Sequence, residues 1–235
     1  RLAARGPPSS SERLAATLRR DGPRKCEAER FLVFHHGGPF RLQSGKELPE
    51  LRVAYETWGR LSEARDNVVL LQCGSPSSSH ARSHPGNPER GWWEDFIGPG
   101  KPLDTNRFHV VCSNHLGGCA GSSGPSSVDP RDGRRYGSRW PRIEVQDMVS
   151  AQFALLDHLG IERVHACVGT SLGGMQSLLA AARFPDRVGR LVTISACARP
   201  CCGSIAFRHV QREATPRGRA GAERPPPSLQ GASDA

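Results

Sequence analysis

Gly169-Thr170-Ser171-Leu172-Gly173 stands between two segments of opposite periodicity, and no other feature of the chain constrains the fold as tightly. Before it, Val164 to Val168 is a continuous apolar run of strand length. After it, Leu172 to Arg183 has helical spacing and stops at Pro185. A G-x-S-x-G stretch in that position predicts a sharp strand-to-helix turn, with glycine on both sides because neighbouring side chains would collide. The turn lifts the serine hydroxyl to a helix N-terminus, where negative charge developing on a bound acyl oxygen is favoured. Ser171 is thus the candidate nucleophile; a glycine-rich turn without chemistry is the alternative.

The rest of the chain extends this pattern in both directions. Phe31 to Phe34 and Leu51 to Thr57, divided by Gly37-Gly38-Pro39, predict an antiparallel opening pair. Val68 to Leu71 and Phe108 to Cys112 are continuous apolar runs, as expected for strands covered on both faces. Between Glu144 and Leu159 apolar residues recur at three and four, with Gln152 a polar exception on that stripe, and Gly160 closes the helix. Leu191 to Ile194 is a further strand. Strands alternating with helices after an antiparallel start predict an α/β class, with a doubly wound, mostly parallel sheet and helices on both faces.

Three regions follow from composition. Residues 1–30 carry eight Lys or Arg against four acids and read as a disordered or transit-like leader, whose first residue is Arg1 rather than Met; its true start is expected to have been lost or processed. Residues 31–212 form the core. Residues 213–235, with four Pro and no periodic apolar face, read as a disordered Pro/Arg-rich tail. The net charge of +9 sits mostly on the two ends, and 29 of the 32 basic residues are Arg, so the folded body has no basic groove and nucleic acid is not an expected partner. No run approaches eighteen apolar residues, so a membrane span is not expected either. The eight cysteines lack a repeated C-x-x-C; Cys73, Cys112 and Cys167 lie in or beside apolar runs and read as buried thiols, not as metal ligands or disulfides.

A serine nucleophile needs a base, and the base an orienting acid; after a turn of this kind they follow in the order acid, then histidine. Downstream of Ser171 the sequence offers Asp186, His209 and Asp234. Asp186 belongs to a helix-to-strand connection, His209 to a helix-like segment from Ser204 to Arg212 with no acid suitably spaced after it, and Asp234 to the tail. The triad reads as incomplete.

Gly91-Trp92-Trp93-Glu94-Asp95-Phe96-Ile97-Gly98-Pro99-Gly100-Lys101-Pro102-Leu103-Asp104-Thr105, Ser113-Asn114-His115-Leu116-Gly117-Gly118-Cys119, Gly124-Pro125-Ser126-Ser127 and Gly169-Thr170-Ser171-Leu172-Gly173-Gly174-Met175-Gln176, in that order, closely resemble the homoserine O-acetyltransferase family of α/β-hydrolase-fold enzymes. The resemblance covers about residues 31–212. Ser78-Ser79-His80-Ala81-Arg82-Ser83 looks most like the branch that acetylates or succinylates L-serine, often in fungal mitochondria. By resemblance, Ser171 is the acyl-enzyme nucleophile, and the backbone N–H groups of Leu172 and Ser75 form the oxyanion hole. The same resemblance implies acyl-coenzyme A as co-substrate, no bound cofactor or metal, L-homoserine or L-serine as acceptor, a homodimer for the full-length family, and a mitochondrial or cytoplasmic location. Ser75 stands where the family usually has Leu, and Ala120 where it has Tyr. Past Arg212 the family continues into a lid and the strands bearing its catalytic Asp and His, so the expectation is a C-terminally truncated and impaired acyltransferase. An esterase of the same fold and a catalytically inactive fragment are the competing readings.

Overall fold

The computed structural model describes residues 30–214, which fall into two units, one ending at Cys197 and one beginning at Ala198. The leader expected over 1–29 and the tail expected beyond 214 lie outside the described residues.

In the first unit the strands are β1 (Leu32–His35), β2 (Phe40–Arg41), β3 (Glu47–Leu48), β4 (Arg52–Trp58), β5 (Val68–Gln72), β6 (Ile97–Gly98), β7 (Leu103–Asp104), β8 (His109–Ser113), β9 (Ala166–Thr170) and β10 (Leu191–Ile194). The helices are α1 (Val145–His158) and α2 (Leu172–Arg183). Six strands form one sheet in the order β1-β4-β8-β5-β9-β10. β1 pairs antiparallel with β4, as the opening strands predict, β4 also pairs antiparallel with β8, and β8, β5, β9 and β10 pair parallel. β2–β3 and β6–β7 are small two-stranded ribbons that the sequence pattern did not announce.

Period-two alternation distributes the apolar residues between two cores. Val68, Leu70 and Cys167 face one side with Val53, Tyr55 and Val111, under Val149, Phe153, Leu155 and Leu156 of α1. Val69, Leu71, Ala166 and Val168 face the other with Trp58, Val110 and Cys112. Among the described residues this second side is covered by Trp92, Trp93, Ile97, Leu103 and Phe108, which belong to the loop-rich stretch between β5 and β8, rather than by a helix. The aromatic block from Gly91 to Thr105 supplies the apolar area that a helix was expected to supply.

One boundary moved. The strand expected from Val164 begins at Ala166 and runs to Thr170, because Val164 makes only an isolated bridge to Val188. α1 is fastened at its start by Asp147, whose carboxylate accepts the N–H of Glu144 at 2.8 Å and that of Gln43 at 2.7 Å. The edge strand β10 is exposed at all four residues. The second unit contributes one described helix, α3 (Cys202–Ala214), with Ile205, Phe207 and Val210 exposed. No helix among the described residues is long and apolar enough to cross a membrane.

Candidate active site

β5 and β9 lie side by side with Gln72 opposite Gly169, so the loops leaving their C-terminal ends emerge together at one edge of the sheet. That edge of a parallel sheet is where ligands of such folds bind. Thr170 ends β9, Leu172 opens α2, and Ser171 alone makes the turn, at φ 53° and ψ −117°. A non-glycine residue at positive φ costs on the order of 1–3 kcal/mol and persists only where its surroundings enforce it. Here they do: the Ser171 N–H donates to Ile194 O at 2.9 Å. The flanking glycines let backbones meet. A Cβ on Gly169 would overlap the carbonyl of Gly173 and crowd Ser177 Oγ, and a Cβ on Gly173 would overlap the carbonyls of Gln72 and Cys73. The start of α2 is therefore pressed onto the end of β5. Ser171 makes no side-chain capping bond to its helix.

The other loop is Cys73-Gly74-Ser75-Pro76. Ser77 N–H closes it on the Gly74 carbonyl at 3.0 Å, and Gly74 abuts Thr170 beside the elbow. The Ser75 N–H has no hydrogen-bond partner among the described residues, and Leu172, as first residue of α2, has an N–H that no intrahelical carbonyl can reach. The three residues singled out from sequence, Ser171, Leu172 and Ser75, thus lie on the two loops that meet at this edge.

Beneath them runs a buried chain of polar groups that sequence reasoning missed. Ser177 Oγ donates to Gln72 Oε1 at 2.6 Å, Gln72 Nε2 to Gln152 Oε1 at 2.6 Å, and Gln152 Nε2 to Gln176 Oε1 at 2.8 Å. Gln176 Nε2 lies 3.1 Å from His115 Nδ1. His115 Nε2 is 3.2 Å from Gly74 O and 3.4 Å from Cys73 Sγ. The available signal was Gln152 on the apolar stripe of a helix, with Gln72 ending an apolar strand. Hydrogen bonding from Cys112, opposed by burial and helped by His115, holds the Cys73 thiol down at about 5, while burial pushes Cys112 up. Cys73, Cys112 and Cys167 are buried free thiols, as expected.

Of the downstream candidates, Asp186 does not join Ser171. Asp186 occupies the turn Pro185–Arg187 before β10, hence at the opposite edge of the sheet from a residue that follows β9. His209 lies in α3 of the second unit, and Asp234 falls outside the described residues. None of the histidine hydrogen bonds among the described residues reaches Ser171.

A second cluster joins β4 to the loop after β5. The buried carboxylate of Glu56 lies 2.8 Å from His80 Nδ1 and 2.9 Å from His84 Nε2, and its other oxygen accepts from Ser79 Oγ at 2.9 Å. The three ligating atoms are within 4.8 Å of one another, close enough for a divalent cation. His84 Nδ1, however, accepts the Gly86 N–H at 3.2 Å. A neutral His84 then carries its proton on Nε2 and donates it to Glu56. Ligation through Nε2 would turn an Nδ1–H against that backbone N–H, the reverse of the arrangement that supports metal-bound histidines. His80 Nε2, by contrast, lies 2.8 Å from the Glu89 carbonyl, an arrangement that does suit a ligating histidine, so only His84 of the pair is turned against a metal.

The family described as alpha/beta hydrolase fold matches residues 67–218. The chain is 57% identical over 180 residues to serine O-succinyltransferase of Emericella nidulans, covering 77% of this chain and 35% of that protein. Among solved structures, homoserine O-acetyltransferase from Bacillus anthracis superposes with a TM-score of 0.68 at 30% identity, over 73% of this chain and 48% of that one. Esterase E22 superposes at 0.71 with 32% identity, over 76% of this chain and 51% of that one. The chain spans about a third to a half of the length of the curated relatives it matches.

Proposed function

Because the chain belongs to the alpha/beta hydrolase fold family, we propose that it carries the acyl-accepting half of an O-acyltransferase acting on the hydroxyl of L-serine or L-homoserine. Ser171 Oγ attacks the thioester carbonyl of an acyl-coenzyme A, acetyl or succinyl. The oxyanion rests on the N–H groups of Leu172 and Ser75, the carbon–sulfur bond breaks, and coenzyme A leaves as the acyl group stays on Ser171. The amino-acid hydroxyl then attacks the Ser171 ester and carries the acyl group away. The observation that supports this reading is the strained Ser171 turn beside an unpaired Ser75 N–H, in a chain 57% identical to a serine O-succinyltransferase.

None of the histidine hydrogen bonds within the described residues reaches Ser171, and this supports reading the serine proton as passing to water, with both half-reactions slow in the chain taken by itself. Loss of triad partners lowers rates by orders of magnitude while oxyanion stabilisation persists. The test is to incubate the chain with acetyl- or succinyl-coenzyme A and seek the adduct on Ser171 by mass spectrometry, then to add L-serine or L-homoserine and follow its loss. Transfer at about 1 to 1,000 per second would overturn the claim of impairment. No adduct from either thioester would sink the acyltransferase reading. The likeness to esterase E22 supports a second reading, hydrolysis of simple esters, which an adduct formed from p-nitrophenyl acetate but from neither thioester would favour.

A further inference from the structure

We propose that His115 is a positioning residue that aims the Ser75 N–H into the oxyanion hole by holding the carbonyl on the other side of the same peptide bond. The inference rests on the acyl-accepting role of Ser171 and assigns a task to a residue outside the nucleophile and its two N–H donors.

A trans peptide is planar, so the Gly74 carbonyl and the Ser75 N–H point in opposite directions along one rigid plate. Whatever fixes the carbonyl fixes the N–H. Glycine at position 74 leaves that plate free to rotate unless it is held, and two donors hold it: Ser77 N–H at 3.0 Å and His115 Nε2 at 3.2 Å. His115 can do so only if Nε2 bears the proton. Gln176 sets this, because its Nε2 has the Leu172 carbonyl as a second acceptor; Cys73 Sγ is the other neighbour of His115 Nε2, at 3.4 Å. Gln176 Nε2 faces His115 Nδ1 at 3.1 Å and the Leu172 carbonyl at 3.5 Å. Reversing that amide would set Gln176 Oε1 against the Leu172 carbonyl, and a bare His115 Nε2 against the Gly74 carbonyl. In the orientation given, each of Gln72, Gln152 and Gln176 donates to the next acceptor, and Ser177 feeds the first across 2.6 Å, shorter than its 3.0 Å approach to the Gly173 carbonyl. His115 then has its lone pair on Nδ1 toward Gln176 and its proton on Nε2 toward Gly74. All five side chains are buried, so water does not compete, and such a fully satisfied chain is rigid.

The chain also spans the right elements. Gln176 and Ser177 lie on α2 behind Ser171, Gln152 on α1, and Gln72 at the end of β5 before the oxyanion loop. The turn that presents the nucleophile and the peptide that receives the oxyanion are therefore set against each other by one hydrogen-bonded path.

The experiment uses the whole chain and two readouts. Proton–nitrogen correlation through the imidazole rings is expected to give His115 as the Nε2–H tautomer, and Gln176→Met to abolish that preference. The Ser75 amide signal is expected to shift and broaden in His115→Ala. In parallel, acylation of Ser171 by p-nitrophenyl acetate is followed at saturating ester. His115→Ala lowers the maximal rate about tenfold to a hundredfold, less than deletion of an oxyanion donor itself, with little change in half-saturation. His115→Gln restores most of the rate, since its amide N–H stands where Nε2 stood. An Nδ1–H tautomer, an unmoved Ser75 amide in His115→Ala, or a folded His115→Gln as slow as His115→Ala would each overturn the proposal. Should wild-type chain give no Ser171 adduct, the acyl-accepting reading fails, and the tautomer and the Ser75 amide still decide whether His115 holds the peptide.

Discussion

The Ser171 N–H donates to the Ile194 carbonyl across 2.9 Å, so the turn bearing the candidate nucleophile is fastened to the outermost strand of the sheet. The Ser75 N–H, on the loop that follows β5, has no partner among the described residues. Hydrogen exchange separates the two, because a bonded amide exchanges only when its structure opens. The Ser171 amide is expected to exchange at least about tenfold more slowly than that of Ser75 after correction for intrinsic rates; equal protection would mean that Ser75 is not free to receive an oxyanion.

Gly173→Ala tests the close approach of α2 to β5. The added methyl would overlap the Gln72 and Cys73 carbonyls, which are backbone and cannot swing aside. Overpacking of this kind costs about 1–3 kcal/mol, a loss to be read by urea unfolding. Ala at Gly203, where no atom lies nearby, serves as the control, and equal midpoints for the two variants would refute the packing argument.

Acid should release a second restraint. Although burial opposes it, the Glu94 carboxyl is held down at about 2 by the N–H and hydroxyl of Ser83 and the N–H of Gly91, with Arg82 nearby. A carboxyl whose folded value lies below its unfolded one, about 4.3 to 4.5, binds more protons in the unfolded chain. Its stabilisation is therefore complete above pH 4.5 and is lost as pH falls toward 2. The gap in melting temperature between wild type and Glu94→Gln should be widest near neutrality and close below pH 3; a gap independent of pH would contradict it.

Self-association is expected at β10. Leu191, Val192 and Ile194 are 40–46% exposed on a strand whose outer edge is unpaired among the described residues, and such edges template further pairing. Val192→Lys should reduce light scattering at a given concentration without lowering the melting temperature by more than a few degrees. Unchanged scattering would place the sticky surface elsewhere.

Most of the sheet was legible because continuous apolar runs and glycine-bounded helices leave few arrangements. The elbow was legible from Gly169 and Gly173. Long-range polar pairing was not legible. Gln152 stood out as an exception on an apolar stripe, yet its purpose depends on Gln72 and Gln176, brought to it only by the fold. Glu56 and His84 met for the same reason, from β4 and from the loop after β5. The aromatic cover that the second face has among the described residues was not foreseen, because apolar area, not helicity, is what a buried strand requires.

The insertion of β5 between β8 and β9 also sets an order of events during synthesis. Both neighbours of β5 emerge from the ribosome after it, β9 long after, and pairings so distant in sequence are slow to close. Until Ala166–Thr170 is available, Val68–Gln72 lacks one flank and Cys73-Gly74-Ser75 has no elbow to lean on. The nascent chain thus brings the Ser75 loop and the Ser171 turn together only at the closing of the sheet, and a chaperone that shields apolar strands would find β5 waiting longest.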